Sequence, residues 1–312
     1  MIADVLGLVS RALVVLTGTA LVTFALLWHA PGDPAQAIAM ARFDALLTEE
    51  VIEQVRAEAG LDQSFWAAFL HWVGPLLVLD FGNSAVTGRP VWPDLRAAMG
   101  YTVPLALAGL AIGLAIALPL AILATRKPGG LLDRLAVGAA SLGAAIPAYW
   151  LGLLLILLFA VQLAWLPAMG ARTPAHAILP ALTLGLGVAA SLTRIIRSGI
   201  LEARGQAFLP ALRRRGVSPR AMGRDHVAPH AAIPVVTVFG LELAFLLEGA
   251  VIVEIIFGRP GLGTFLVTAI EARDFPHVQA VVVLTALLFV IVNMLLDLIY
   301  RLIDPRIGTR DA

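Results

Sequence analysis

The 312-residue sequence predicts an all-α protein that crosses a membrane six times. Three observations carry this reading. First, 60% of the residues are hydrophobic and 14% charged, with a mean hydropathy of +0.91; soluble chains carry roughly a quarter charged residues and under half apolar ones. Second, the apolar surplus is gathered into uncharged runs near the roughly 20 residues that a helix needs to cross hydrocarbon. Third, the arginines crowd into every other connection between those runs. This composition excludes a soluble enzyme, a disordered chain and a nucleic-acid binder. The absence of cysteine excludes disulfides, thiolate metal sites and a cysteine nucleophile.

The first run lies between Arg11 and His29. It exceeds the usual 7–15-residue core of a cleaved signal peptide and ends on the bulky pair Trp28-His29, so residues 1–30 are read as a retained helix. Residues 31–98 form an outer segment with nine acidic residues against four arginines. Within it Thr48 caps a short helix that has Glu49 and Glu50 in its first turn and Gly60 just past its end. Phe65, Trp66, Phe69 and Trp72 then recur at helical spacing, which suits a helix lying in or against the membrane interface. The segment is either a packed cap or a docking surface for an outside partner, and the two are compatible.

The remaining residues, 99–312, hold five spans. The second uncharged run is Ala97 to Thr125, and the third, Leu135 to Ala171, has room for one helix plus a re-entry or loop. Leu163 to Pro167 mark where that helix leaves the bilayer. The fourth run, Thr173 to Thr193, stops at Arg194 and Arg197. The fifth, from about Ile233 to Phe257, carries Glu242, Glu248 and Glu254, and the sixth spans Val278 to Leu296. Trp28, Trp150 and Trp165 read as interface anchors, and Asp297 is placed to pair with Arg301 one turn on.

Lysine and arginine in short loops mark the cytoplasmic side. Arg126, Lys127 and Arg134 follow the second span. Arg194, Arg197, Arg204, Arg213, Arg214, Arg215, Arg220 and Arg224 fall between the fourth and fifth, and Arg301, Arg306 and Arg310 close the chain. Both termini are therefore placed inside.

Chemistry on this chain is narrowly bounded. A phosphate-binding loop needs a lysine, and the single lysine, Lys127, lies in Ala-Thr-Arg-Lys-Pro-Gly-Gly without the glycine frame. Gly82-Asn83-Ser84-Ala85-Val86 lacks the last glycine of a nucleophile elbow. His226 and His230 have a metal-compatible spacing, but Pro229 lies between them and no third ligand stands nearby. No catalytic, cofactor or metal residue is assigned.

The most distinctive region, about 198–232, is polar and arginine-rich. Ala207-Phe-Leu-Pro-Ala-Leu-Arg-Arg-Arg-Gly216-Val-Ser-Pro-Arg reads as a short helix, a glycine stop and a second helix near Pro219. At this point the chain resembles, nearly end to end, the DppB/OppB-type permease subunits of binding-protein-dependent ABC importers for dipeptides, oligopeptides and nickel. The resemblance rests on ordered motifs. Early ones are Ala30-Pro-Gly-Asp-Pro34, Gly60-Leu-Asp-Gln63, Thr87-Gly-Arg-Pro-Val91 and Ile146-Pro-Ala-Tyr-Trp-Leu-Gly152. Later ones are Trp165-Leu-Pro167, Ile178-Leu-Pro-Ala-Leu-Thr183, Val253-Glu254, Pro260-Gly-Leu-Gly263, Ala272-Arg-Asp-Phe-Pro276 and Asp304-Pro-Arg306.

The resemblance implies that the region about 198–232 is an EAA-type coupling hairpin docking on an ATPase subunit. Its contact residues would be Phe208, Ala211, Leu212, Arg215, Gly216, Val217, Ser218 and Pro219. Leu212, Arg213, Arg214 and Pro210 depart from the family pattern. The resemblance also implies a bacterial inner-membrane location and a second homologous permease. One or two ATPase subunits would hold ATP and magnesium, an extracytoplasmic solute-binding protein would deliver the solute, and the spans would sit in the lipid bilayer with no nucleic acid involved. An autonomous secondary transporter or channel is the competing function.

A mid-bilayer carboxylate costs at least about 2.5–3.5 kcal/mol on insertion scales, so it faces a partner or water. Glu242, Glu248 and Glu254 are six residues apart, which turns successive members by about 240° and keeps them off a single stripe. All three are candidate translocation-path residues. Glu248, nearest the middle, either faces the path and favours amine-bearing cargo or is bonded to a neighbouring helix.

Overall fold

The long apolar runs become helices because a bilayer offers no water to backbone N–H and C=O groups, which must then pair within their own segment. A computed structural model describes residues 2–43, 48–58 and 60–303. Thirteen α-helices are present among them: α1 (Ile2–Trp28), α2 (Pro34–Phe43), α3 (Glu49–Glu58), α4 (Phe65–Leu76), α5 (Val91–Ala124), α6 (Leu131–Ala145), α7 (Ala148–Leu155), α8 (Ile178–Arg204), α9 (Leu209–Arg214), α10 (Pro219–Met222), α11 (Ala228–Ile256), α12 (Leu262–Glu271) and α13 (Phe275–Ile303). The described residues form no sheet, only an isolated Asn83–Pro90 bridge.

Among the described residues, five helical stretches are long and apolar enough to cross a membrane, and α6 with α7 and its π-helical extension to Gln162 makes a sixth span when taken as one. That third span is bent by 102°. The break falls at Ile146-Pro147. Proline disfavours helical dihedrals in the residue before it, and Ile146 is extended at φ −85° and ψ 120°. The fifth span begins earlier than its apolar run. The helix expected near Pro219 does not end but continues through a π turn, Gly223–Val227, into α11. Pro229 and Pro234 interrupt the apolar period without stopping this helix. The tail motif Asp304-Pro-Arg306 and the arginines Arg306 and Arg310 lie outside the described residues.

The chain divides into two compact units, residues 1–101 with 260–291, and residues 102–259 with 292–312. In the first, Phe24 of α1 is the centre of an aromatic cluster. Its ring lies 5.4 Å from Phe65, 5.5 Å from Phe69 and 5.6 Å from both Trp28 and Trp72. Three of the four α4 aromatics thus pack on α1, and only Trp66 is strongly exposed, at 61%. A smaller core of Ala35, Ile38, Ala39 and Val55 joins α2 to α3, with an Arg56–Asp33 ion pair at 2.7 Å along its edge. Phe81, Val91, Leu95 and Ala98 form a third core with Leu262, Ala280, Val281 and Leu284.

In the second unit α8 is the central element. Leu179, Leu184, Val188, Leu192 and Ile196 pack with Leu105, Leu110, Ala117 and Ala121 of α5 and with Leu246 and Val253 of α11. The α5–α8 approach relies on glycine. A Cβ on Gly113 would lie 2.5 Å from Val188 Cγ1, and one on Gly185 2.7 Å from Ile112 Cγ2.

Candidate functional site

The hairpin between the fourth and fifth spans is built from local rules. α8 ends at Gly205, and α9 follows with Pro210 in its first turn, where a missing N–H leaves no bond unmade. Gly216 then adopts φ +79°. Its N–H donates to the Arg213 carbonyl at 3.0 Å, and the Val217 N–H donates to Leu212 at 3.2 Å. This pair of bonds is the Schellman closure, and its usual apolar contact is supplied by Leu212 and Val217, which both pack on the cluster of Ala203, Leu209, Met222, Val227 and Ala231. Ser218 caps the next helix by accepting from the Ala221 N–H at 3.2 Å, with Pro219 at the first helical position.

The result is a helix–glycine–helix turn seated on the end of α8. Its inward side is apolar, and Phe208, Ala211, Arg213, Arg214, Arg215, Gly216, Ser218 and Pro219 are exposed. The Phe208 ring lies tilted against His230 at 5.3 Å and edge-on to His226 at 6.3 Å. Among the described residues no group of three or more His, Cys, Asp or Glu is placed to hold a metal.

Two ion-pair and capping contacts set α8 under this hairpin. Arg197 donates through Nε and Nη2 to Asp133 of α6 at 2.5 and 2.7 Å. Asp133 also accepts from the Gly129 N–H at 2.8 Å, and Arg204 donates to the Thr125 carbonyl. Charge patterning assigns Arg197 and Arg204 to topology alone. The sequence signal for the second role of Arg197 is a single aspartate, Asp133, beside Arg134 at the foot of the third span, and nothing in the sequence marks the Arg204–Thr125 contact.

The three glutamates of α11 are separated by the fold. Glu242 is buried within hydrogen-bonding reach of Ser191 and in the field of Arg194, both on α8. Glu254 is fully buried, and the Thr102 hydroxyl donates to it at 2.5 Å. Glu248 is exposed. The 240° rotation separates them as the spacing requires, and packing decides which sides are covered.

Another polar network lies in the first unit. The carboxylate of Asp274, in the α12–α13 turn, accepts from the Ser84 hydroxyl at 2.5 Å and from the Ala85 N–H at 3.0 Å. It shares a 2.6 Å bond with His277 Nδ1, whose other ring nitrogen is 3.5 Å from Asp94. Burial alone would raise the Asp274 carboxyl, but the bonds from His277 and Ser84 outweigh it and hold the group below its usual value. Ser84 thus bonds to aspartate rather than to histidine and is not an activated nucleophile. Gly32 sits beside this turn at φ +102°, with Arg273 Nη1 2.7 Å from where a Cβ would be. Sequence spacing across some 190 positions carries no signal for the Ser84–Asp274 contact.

These elements define an all-helical, multi-pass membrane protein with a structured turn between its fourth and fifth spans. Two family models match the chain: the binding-protein-dependent transport system inner membrane component over residues 117–309, and the N-terminal part of that membrane component over residues 1–106. The glutathione transport system permease protein GsiC of Salmonella typhimurium is 38% identical over 306 residues, covering 97% of this chain and 96% of the relative. GsiC of Escherichia coli K12 is 37% identical over 310 residues, covering 98% and 97%. Among solved structures, the inward-facing MetNI methionine ABC transporter superposes with a TM-score of 0.55 at 21% identity, covering 67% of this chain and 95% of the other. An amino acid ABC transporter gives 0.53 at 20%, covering 67% and 94%. The chain belongs to the family of inner-membrane components of binding-protein-dependent transport systems. It is a permease subunit of an ABC importer, a transport subunit that works with ATPase and binding-protein partners.

Proposed function

We propose that this permease carries a small peptide-type solute, with glutathione or a short peptide as its cargo, into the cell. The observation that carries this reading is the end-to-end match, at 37–38% identity, to permeases named for glutathione transport. Both termini and the hairpin lie in the cytoplasm and the acidic segment 31–98 lies outside, facing the binding protein; the crowding of the arginines supports this orientation. Phe208, Ala211, Leu212, Arg215, Gly216, Val217, Ser218 and Pro219 form the coupling surface. The Schellman turn supports this assignment because it gives the chain a rigid, exposed projection anchored on a span. ATP and magnesium act on one or two partner ATPase subunits, since the lone Lys127 lacks a phosphate-binding frame. A second, homologous permease completes the path.

The test is reconstitution of the complex with its binding protein in proteoliposomes. ATP-dependent glutathione uptake is expected, and Phe208→Ala with Arg215→Glu abolishes it while membrane insertion is unchanged. Uptake that persists without ATPase subunits refutes the reading.

A further inference from the structure

α11 carries three carboxylates, and the chain itself covers two of them. Glu242 lies against α8, and Glu254 is enclosed with Thr102. Glu248 stands in a stripe with Leu241, Phe245, Ile252 and Ile255, all exposed and all within about 80° of arc at 100° per residue. It is three residues from the midpoint of the apolar run 233–257, or about 4.5 Å along the axis. An ionised carboxylate at that depth is strongly disfavoured against hydrocarbon, so Glu248, on this otherwise apolar face of α11, meets something polar.

The chain's own charges narrow what that is. The runs 12–28, 97–125, 135–171, 233–257 and 278–296 contain no arginine, lysine or histidine, and the one such residue in 173–193, His176, stands near its start rather than at its middle. A second copy of this chain would therefore bring no cation to mid-depth, and two such stripes in contact would oppose carboxylate to carboxylate. A cation that meets Glu248 therefore belongs to a chain of different sequence or to the solute itself. The geometry points to Glu248 as a specificity-determining residue of the solute path, binding the ammonium group of an amine-bearing cargo as it crosses. This rests on the reading of the protein as a permease for a peptide-type solute, and it names the part of that solute the path reads. Glu242 and Glu254 are structural in this account.

Two measurements test it on the assembled complex. The sequence holds no cysteine, so Glu248→Cys is the single thiol of the chain. A trimethylammonium methanethiosulfonate, which does not enter lipid, labels Glu248→Cys at least about tenfold faster than Glu242→Cys or Glu254→Cys, since buried thiols are inert. In proteoliposomes, Glu248→Gln lowers glutathione uptake by about tenfold or more, as expected for loss of a charge-assisted bond. The same variant leaves N-acetylated glutathione at its wild-type rate, and Glu248→Asp retains most glutathione uptake. The inference is overturned if Glu248→Gln transports glutathione as well as wild type does. It is equally overturned if both probes lose equally, or if Glu248→Cys reacts only with a lipid-soluble maleimide. A wild-type complex that imports neither probe removes the peptide solute class and this inference with it, a result distinct from a failure confined to the variant.

Discussion

Gly216 is the sharpest point at which to perturb the proposed coupling turn. Its φ of +79° lies in the left-handed region, where an ordinary L residue is about 1–2 kcal/mol worse than glycine. No atom lies within 4 Å of where its Cβ would be, so a substitution meets no clash and the cost is purely that of the backbone. A penalty of one or two kcal/mol weights the closed turn down by a factor of about 5–30. Asparagine tolerates this region and loses least, alanine loses the full penalty, and the β-branched valine loses more. The spans are untouched. Coupling should therefore fall in the order Gly, Asn, Ala, Val when solute-stimulated ATP hydrolysis and uptake are measured in proteoliposomes, at constant membrane level. Wild-type coupling in Gly216→Val would refute the reasoning, and so would an equal loss in all three variants.

Three further outcomes follow from packing. Arg197→Ala leaves the Asp133 carboxylate without its bidentate partner and lowers the midpoint of detergent unfolding, an effect reduced when Asp133→Asn is combined with it. Gly185→Leu forces α5 from α8 and lowers the unfolding temperature by several degrees, whereas Gly187→Ala, which meets no atom within 4 Å, is neutral or slightly stabilising. Asp274→Asn weakens the bonds to Ser84, Ala85 and His277 and costs about 1.5–3 kcal/mol near neutral pH. Because the folded carboxyl lies below its unfolded value of about 3.9, its contribution is fully present above that value and is lost as pH falls through the folded one. The gap between wild type and Asp274→Asn in a melting series from neutral pH to about pH 3 should therefore narrow at the acid end; a constant gap sinks the linkage.

Much of the scaffold was legible because its rules are local. Span length depends on bilayer thickness and a run of apolar residues, so the six runs could be counted directly. The turn at Gly216 was legible for the same reason: a glycine stop followed by Ser218-Pro219 specifies a capped restart within a few residues. Local rules also misjudged some extents. The helix at Pro219 runs on into α11 because nothing between them forbids a helix, and a π turn precedes Pro229. The α4 aromatics, whose spacing suits a helix lying in or against the interface, pack mainly on Phe24, a partner more than 40 residues away that periodicity alone does not name.

The sequence by itself determined that the membrane is this protein's solvent, where its spans and turns lie, and that its arginines gather around one hairpin. Those properties follow from hydropathy and backbone dihedrals, which act over a turn or a span. Only the tertiary structure decided which charges are paired. Asp133 finds Arg197 across 64 positions and Ser84 finds Asp274 across 190, and residues 260–291 cluster with the N-terminal third. The helical period says that Glu242, Glu248 and Glu254 point in three directions. Which of those directions is filled by α8 or by Thr102, and which is left open at Glu248, is a matter of packing between elements far apart in the chain.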